Sequence, residues 1–197
     1  MITRIGWGVA AVAVAALFVV LAIRLPGDGA SAPAPPVASA APFARPAPDI
    51  SNMTPRERAD SLFNRIMREY EAGNESQVEF FRPMALQAYA LLGPLDADAR
   101  YHVGLIHTIT GDLSAARAQV DSIQSAAANH LMGFMLQAAA ARLGGDETAL
   151  REAYRGFLAA YDEEIGASRR EYTEHGQALE AFRAEAARET GSRNGEG

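Results

Sequence analysis

The chain has 197 residues, enough for at most one ordinary domain once an apolar N-terminal stretch is set aside. From Asp49 onward 23 acidic residues face 15 arginines and no lysine, a balance of −8. That balance excludes nucleic acid and anionic lipid surfaces, both of which are bound through basic side chains, and the absence of cysteine excludes disulfides, thiolate nucleophiles and Cys-ligated zinc.

The first expected element is a membrane anchor. Residues 5–23 (IGWGVAAVAVAALFVVLAI) carry no charge and as a helix would be about 28 Å long, the thickness of the hydrocarbon core. Trp7 lies near one end, where an amphipathic ring favours the interface. The run is too long, and too far from Ala38-Ser39-Ala40, for a cleaved signal peptide. Arg4 and Arg24 flank it almost evenly. The expected topology is a single pass across the cytoplasmic membrane, N-terminus inside and soluble domain on the periplasmic or other extracytoplasmic side. Gly6 with Ala10, and Ala11 with Ala15, have the small-x-x-x-small spacing that lets a second helix approach in lipid. Residues 25–50, rich in Pro, Ala and Ser, then read as a semi-rigid spacer reaching up to roughly 75 Å.

From residue 51 to 190 every signal is helical, so the domain is expected to be all-α, with 191–197 a tail. Thr54-Pro55-Arg56-Glu57 is a capping box with Pro at the first helical position. Ala59, Leu62, Phe63, Ile66, Met67 and Tyr70 follow at helical spacing, and Gly73 stops the helix. Asn74, with Gln77 as capping partner, opens a second helix to Leu92, which Pro83 is expected to kink or split. Asp96 opens a third helix, stopped by Gly111; Asp112 a fourth; Asn129 a fifth, stopped by Gly144-Gly145; Asp146 a sixth. Ser168-Arg169-Arg170-Glu171 reads as a second capping box, with Tyr172, His175, Leu179 and Phe182 on one face of a last helix.

These helices repeat. Gly111-Asp112 recurs as Gly145-Asp146, 34 residues on. At the same offset Gly104 meets Ala138, Arg117 meets Arg151, Ala115 meets Ala149, Val120 meets Tyr154 and Ile123 meets Phe157. The small pair is expected to let two helices of a pair cross closely, the glycines to turn the chain, and the large pairs to fill the space between neighbours. On these residues the chain resembles the tetratricopeptide repeat family over about 97–164. Residues 54–92 stand as a degenerate first repeat, because Gly73 to Gly111 is 38 residues. Arg100, His107, Ala141 and Ala128 depart from the family's pattern. The resemblance implies a right-handed helical-repeat solenoid of about three helix pairs, closed by a C-terminal capping helix over 168–190.

The resemblance also implies a partner-binding groove lined by the first helix of each pair. In this register the groove residues are Phe63, Met67 and Tyr70, then Tyr101, Leu105 and Thr108, then Met132, Met135, Ala139 and Arg142. Aromatic and Met side chains suit adaptable apolar recognition, and the family's clamp for peptide carboxylates is absent. His102, His107, His130 and His175 show no metal-ligand spacing, and Glu163-Glu164, Glu171 and Glu174 read as solvated helix faces. No catalytic constellation, metal or cofactor is expected. The expected function is that of a membrane-tethered scaffold for a protein partner, an exported client or a membrane-complex subunit. The alternative is a structural accessory subunit of a large respiratory or photosynthetic membrane complex, docked through its transmembrane helix.

Overall fold

The computed structural model describes residues 52–191. The expected anchor with Gly6, Ala10, Ala11 and Ala15, the spacer and residues 192–197 lie outside them. Among the described residues there are eight α-helices and no strand, and no helix is long and apolar enough to cross a membrane. In chain order they are α1 (Pro55–Glu71), α2 (Glu75–Ala90), α3 (Ala97–Ile109), α4 (Leu113–Ala126), α5 (Leu131–Gly144), α6 (Glu147–Gly166), α7 (Arg170–Glu174) and α8 (Gly176–Gly191). Consecutive helices pack as pairs, α1 on α2, α3 on α4 and α5 on α6; α5 also lies on α3 and α4, and α8 closes the stack against α6.

The helix starts follow from local hydrogen bonding. The Thr54 hydroxyl accepts from the Glu57 N–H at 3.2 Å while Thr54 N–H donates to the Glu57 carboxylate at 2.7 Å, completing the expected box. Asp96, Asp112 and Asp146 each accept from the N–H three residues on, at 2.8, 3.1 and 3.0 Å. Gly73, Gly111 and Gly145 take φ of +73°, +80° and +68°, the left-handed conformation that turns the chain between paired helices.

Four local expectations are corrected. The Asn74 side chain does not cap α2; its amide donates to Glu69 at 2.8 Å. Pro83 does not split α2, which runs unbroken from Glu75 to Ala90; both it and the Glu79 carbonyl deprived of a donor lie on the exposed side, where water can serve. His130, not Asn129, is the residue before α5. The second capping box does not form: Ser168 adopts φ +53°, Arg169 precedes a five-residue α7 without a side-chain cap, and the chain breaks at His175 before α8.

The core is continuous through all three pairs. Ile66, Ile106, Ile123, Leu131, Met132, Leu136, Phe157 and Leu179 are at most 1% exposed. Val120, Ile123, Tyr154 and Phe157 are buried as their 34-residue match implies. The small residues act differently from the expectation. Gly104 leaves no room for a Cβ beneath Leu136 of α5, so it admits the next pair rather than its own partner helix. The close crossing within a pair falls at Gly156 of α6, pressed on the Phe134 ring.

Candidate functional site

The residues expected to line a groove do not form an open one. Phe63, Met67, Tyr101, Leu105, Thr108, Met132 and Met135 are all buried, at 5% exposure or less. Thr108 spends its hydroxyl on the Gly104 carbonyl at 2.9 Å, within its own helix. Tyr70 and Ala139 are half-buried. Arg142 is half-buried and committed to the closing helix, donating to Glu185 and to the Tyr154 hydroxyl, which itself donates to Glu185 at 2.8 Å. Part of the cover is the chain's own C-terminal segment. The Tyr172 hydroxyl accepts from Leu131 N–H at 3.0 Å and donates to Glu164 at 2.6 Å. The His175 ring lies 5.8 Å from that of Tyr101. Glu164 and Glu171 are therefore structural partners, of Arg169 and Tyr172 and of His130 respectively, rather than solvated helix faces.

Where α1, α2, α3 and the α7–α8 joint meet, the structure assembles a polar cluster. Arg56 donates to Asp60 at 2.9 Å, to Asp96 at 3.0 Å and to Asp98. Tyr89 OH donates to Asp60 at 2.7 Å and stands 2.9 Å from His102 Nδ1. His175 Nε2 is 2.8 Å from Asp98 Oδ1. The Phe63 ring stacks on His102 with centroids 4.0 Å apart. Asp98 and His102 are buried, each 7% exposed. Burial pushes the Asp98 carboxyl up, but the His175 hydrogen bond and the charges of His102, His175 and Arg56 outweigh it and hold it at about 2. Asp60 is likewise lowered against its burial, by hydrogen bonds from His102 and Tyr89 and by the charges of His102 and Arg56. Asp98, His102 and His175 each offer one ligand atom, all within 4.8 Å of one another.

Sequence reasoning missed this cluster. Asp98 and His102 carry the one usable signal, i and i+4 on a single helix face, whereas His175 stands 77 residues away at a break the sequence reads as continuous helix. A second feature also went unread. Phe80, Met84 and Leu91 of α2 and its cap are 62%, 37% and 77% exposed. Their spacing aligns them within about 40° on one face, along about 16 Å of helix. The opposite face of α2 buries Val78, Ala85 and Tyr89. Compared with protein-family models, curated proteins and solved structures, this chain finds no match in any of the three.

Proposed function

We propose that this chain is a membrane-tethered protein-interaction module, held by 5–23, spaced by 25–50, and engaging its partner through the outer face of α2. The observation that carries this reading is the aligned stripe of Phe80, Met84 and Leu91, two of them more than half exposed. Scattered exposed apolar side chains are ordinary in soluble domains, but three in line on one helix of the first pair are the pattern of a helix face awaiting a cover. The tetratricopeptide-like period supports the general class. The burial of the expected groove residues favours one version of it, a lasting accessory subunit of a membrane complex, over a factor that admits clients to the trough and releases them.

The test uses the full-length chain in its native membrane, with a photo-crosslinking side chain at Phe80, at Leu91 or at exposed Arg117. Crosslinks to one defined membrane-complex subunit from the first two positions and not from Arg117 are expected. Phe80→Asp with Leu91→Asp should abolish stoichiometric co-purification after mild detergent extraction. Equal labelling from all three positions, or unchanged co-purification, would overturn the reading.

A further inference from the structure

We propose that Asp98, His102 and His175 bind one divalent first-row transition cation, of the chemistry that Zn2+ represents, and that this ion staples the C-terminal segment to α3. Asp98 Oδ1 is 2.8 Å from His175 Nε2 and 3.6 Å from His102 Nε2. Around a tetrahedral ion with bonds of about 2.0–2.2 Å, donor atoms stand roughly 3.3–3.6 Å apart, so the Asp98–His175 pair must open and the three atoms, all within 4.8 Å of one another, draw onto one ion by side-chain rotation. Two imidazoles and a carboxylate suit zinc or its neighbours, whereas magnesium and calcium call for oxygen donors.

Three features of the cluster point to a cation. The first is the orientation of His102. Tyr89 gives its single hydroxyl proton to Asp60, so it accepts from His102 Nδ1–H. That fixes the tautomer and turns the Nε2 lone pair toward Asp98 and His175, the carboxylate-backed arrangement of metal-binding histidines. The second is the division of labour on Asp98, whose Oδ2 is held by Arg56 while Oδ1 faces both imidazoles. The third is charge. Asp60, Asp96 and Asp98 oppose a single guanidinium, Arg56. Asp96 is 61% exposed, so with neutral imidazoles one negative charge, shared by Asp60 and Asp98, remains in the partly buried part of the cluster, a surplus that a divalent ion offsets. The His175 side chain, 19% exposed against 9% for Asp98 and 8% for His102, marks the route by which an ion enters and a water completes the coordination. None of this depends on the partner proposed above.

The decisive experiment titrates Zn2+ into the full-length, detergent-solubilised chain at a pH where unperturbed imidazole is mostly neutral, by calorimetry. One saturable equivalent is expected, together with a rise in melting temperature that chelator reverses. His175→Ala should weaken Zn2+ binding about 100-fold or more, and Tyr89→Phe by about 10- to 100-fold, the range for losing the group behind a liganding histidine. His107→Ala, outside the cluster, should leave it unchanged. Should His175→Ala unfold, histidine 15N NMR of the unaltered chain decides: Zn2+ must shift the Nε2 resonances of two imidazoles. No saturable binding, binding indifferent to His175→Ala, or two imidazoles that remain protonated and unmoved by Zn2+ would overturn the proposal.

Discussion

Two seams join the helix pairs, and they are made of different materials. Between α3–α4 and α5–α6 the seam is largely dry, with the part-buried Gln124 amide donating to Gln137 at 3.4 Å. Leu136 seats on Gly104, Ile123 and the Gln124 stem on Gly133, and Leu113 reaches Gly144, so at each glycine a large side chain fills the space a Cβ would take. Between α1–α2 and α3–α4 the seam runs through Arg56, Asp60, Tyr89, Asp96, Asp98 and His102, with one ring stack, Phe63 on His102. Apolar contact is non-directional and scales with area, so it tolerates small rotations and repeats with the chain's own period. Ion pairs and hydrogen bonds demand fixed partners, which makes the polar seam specific in geometry and sensitive to the loss of any one member. The C-terminal segment touches both: Tyr172 holds the start of α5, and His175 enters the polar seam.

The sharpest way to break this comparison is Ile123→Asp. A carboxylate placed at a site 1% exposed, with no partner, should cost several kcal/mol and abolish the cooperative melt seen by circular dichroism. A folded, cooperatively melting variant would mean that the dry seam is not where stability resides. Next in size is the Gly104–Leu136 contact. Leu136→Ala should cost about 2–5 kcal/mol through the cavity it leaves, and Gly104→Ala about 1–3 kcal/mol through overpacking. In the double variant the new methyl occupies space that Leu136 vacated, so the two losses should fall short of their sum. Strict additivity in denaturant unfolding would show that the two residues do not meet.

The polar seam should respond less and differently. Arg56→Met is expected to cost about 1–2 kcal/mol, between the values typical of exposed and buried pairs, because the side chain is 25% exposed. The loss should shrink at high salt, while that of Leu136→Ala should not. Equal salt response at both seams would erase the distinction drawn between them.

The smallest expected effect is at the C-terminal segment. Burial pushes the Glu164 carboxyl up, but hydrogen bonds from Tyr172 and Arg169 outweigh it and hold it below its ordinary 4.5. A carboxylate lowered on folding lends stability that is complete above its ordinary value and is lost as pH falls through the folded one. Tyr172→Phe should therefore cost about 1 kcal/mol at neutral pH, with the gap from the unaltered chain narrowing in acid. A gap that is constant with pH would separate Tyr172 from Glu164.

Much of the helical frame and of the dry seam was legible in the residues. Asp96, Asp112 and Asp146 mark helix starts, and Gly73, Gly111 and Gly145 mark turns, because a side-chain oxygen three residues before an N–H and a residue free to adopt positive φ are local requirements. Burial of Val120, Ile123, Tyr154 and Phe157 was equally legible, since apolar faces must recur with the period of the helices that carry them. Tertiary structure alone decided the rest. Whether Tyr101, Met132 and Met135 face a trough or a core depends on what lies over them, and the cover includes a segment some 70 residues downstream of Tyr101, re-aimed by the break at His175. The union of Asp98 and His102 with His175 arises the same way: directional contacts leave no period in the chain, so only the packed fold brings their atoms together.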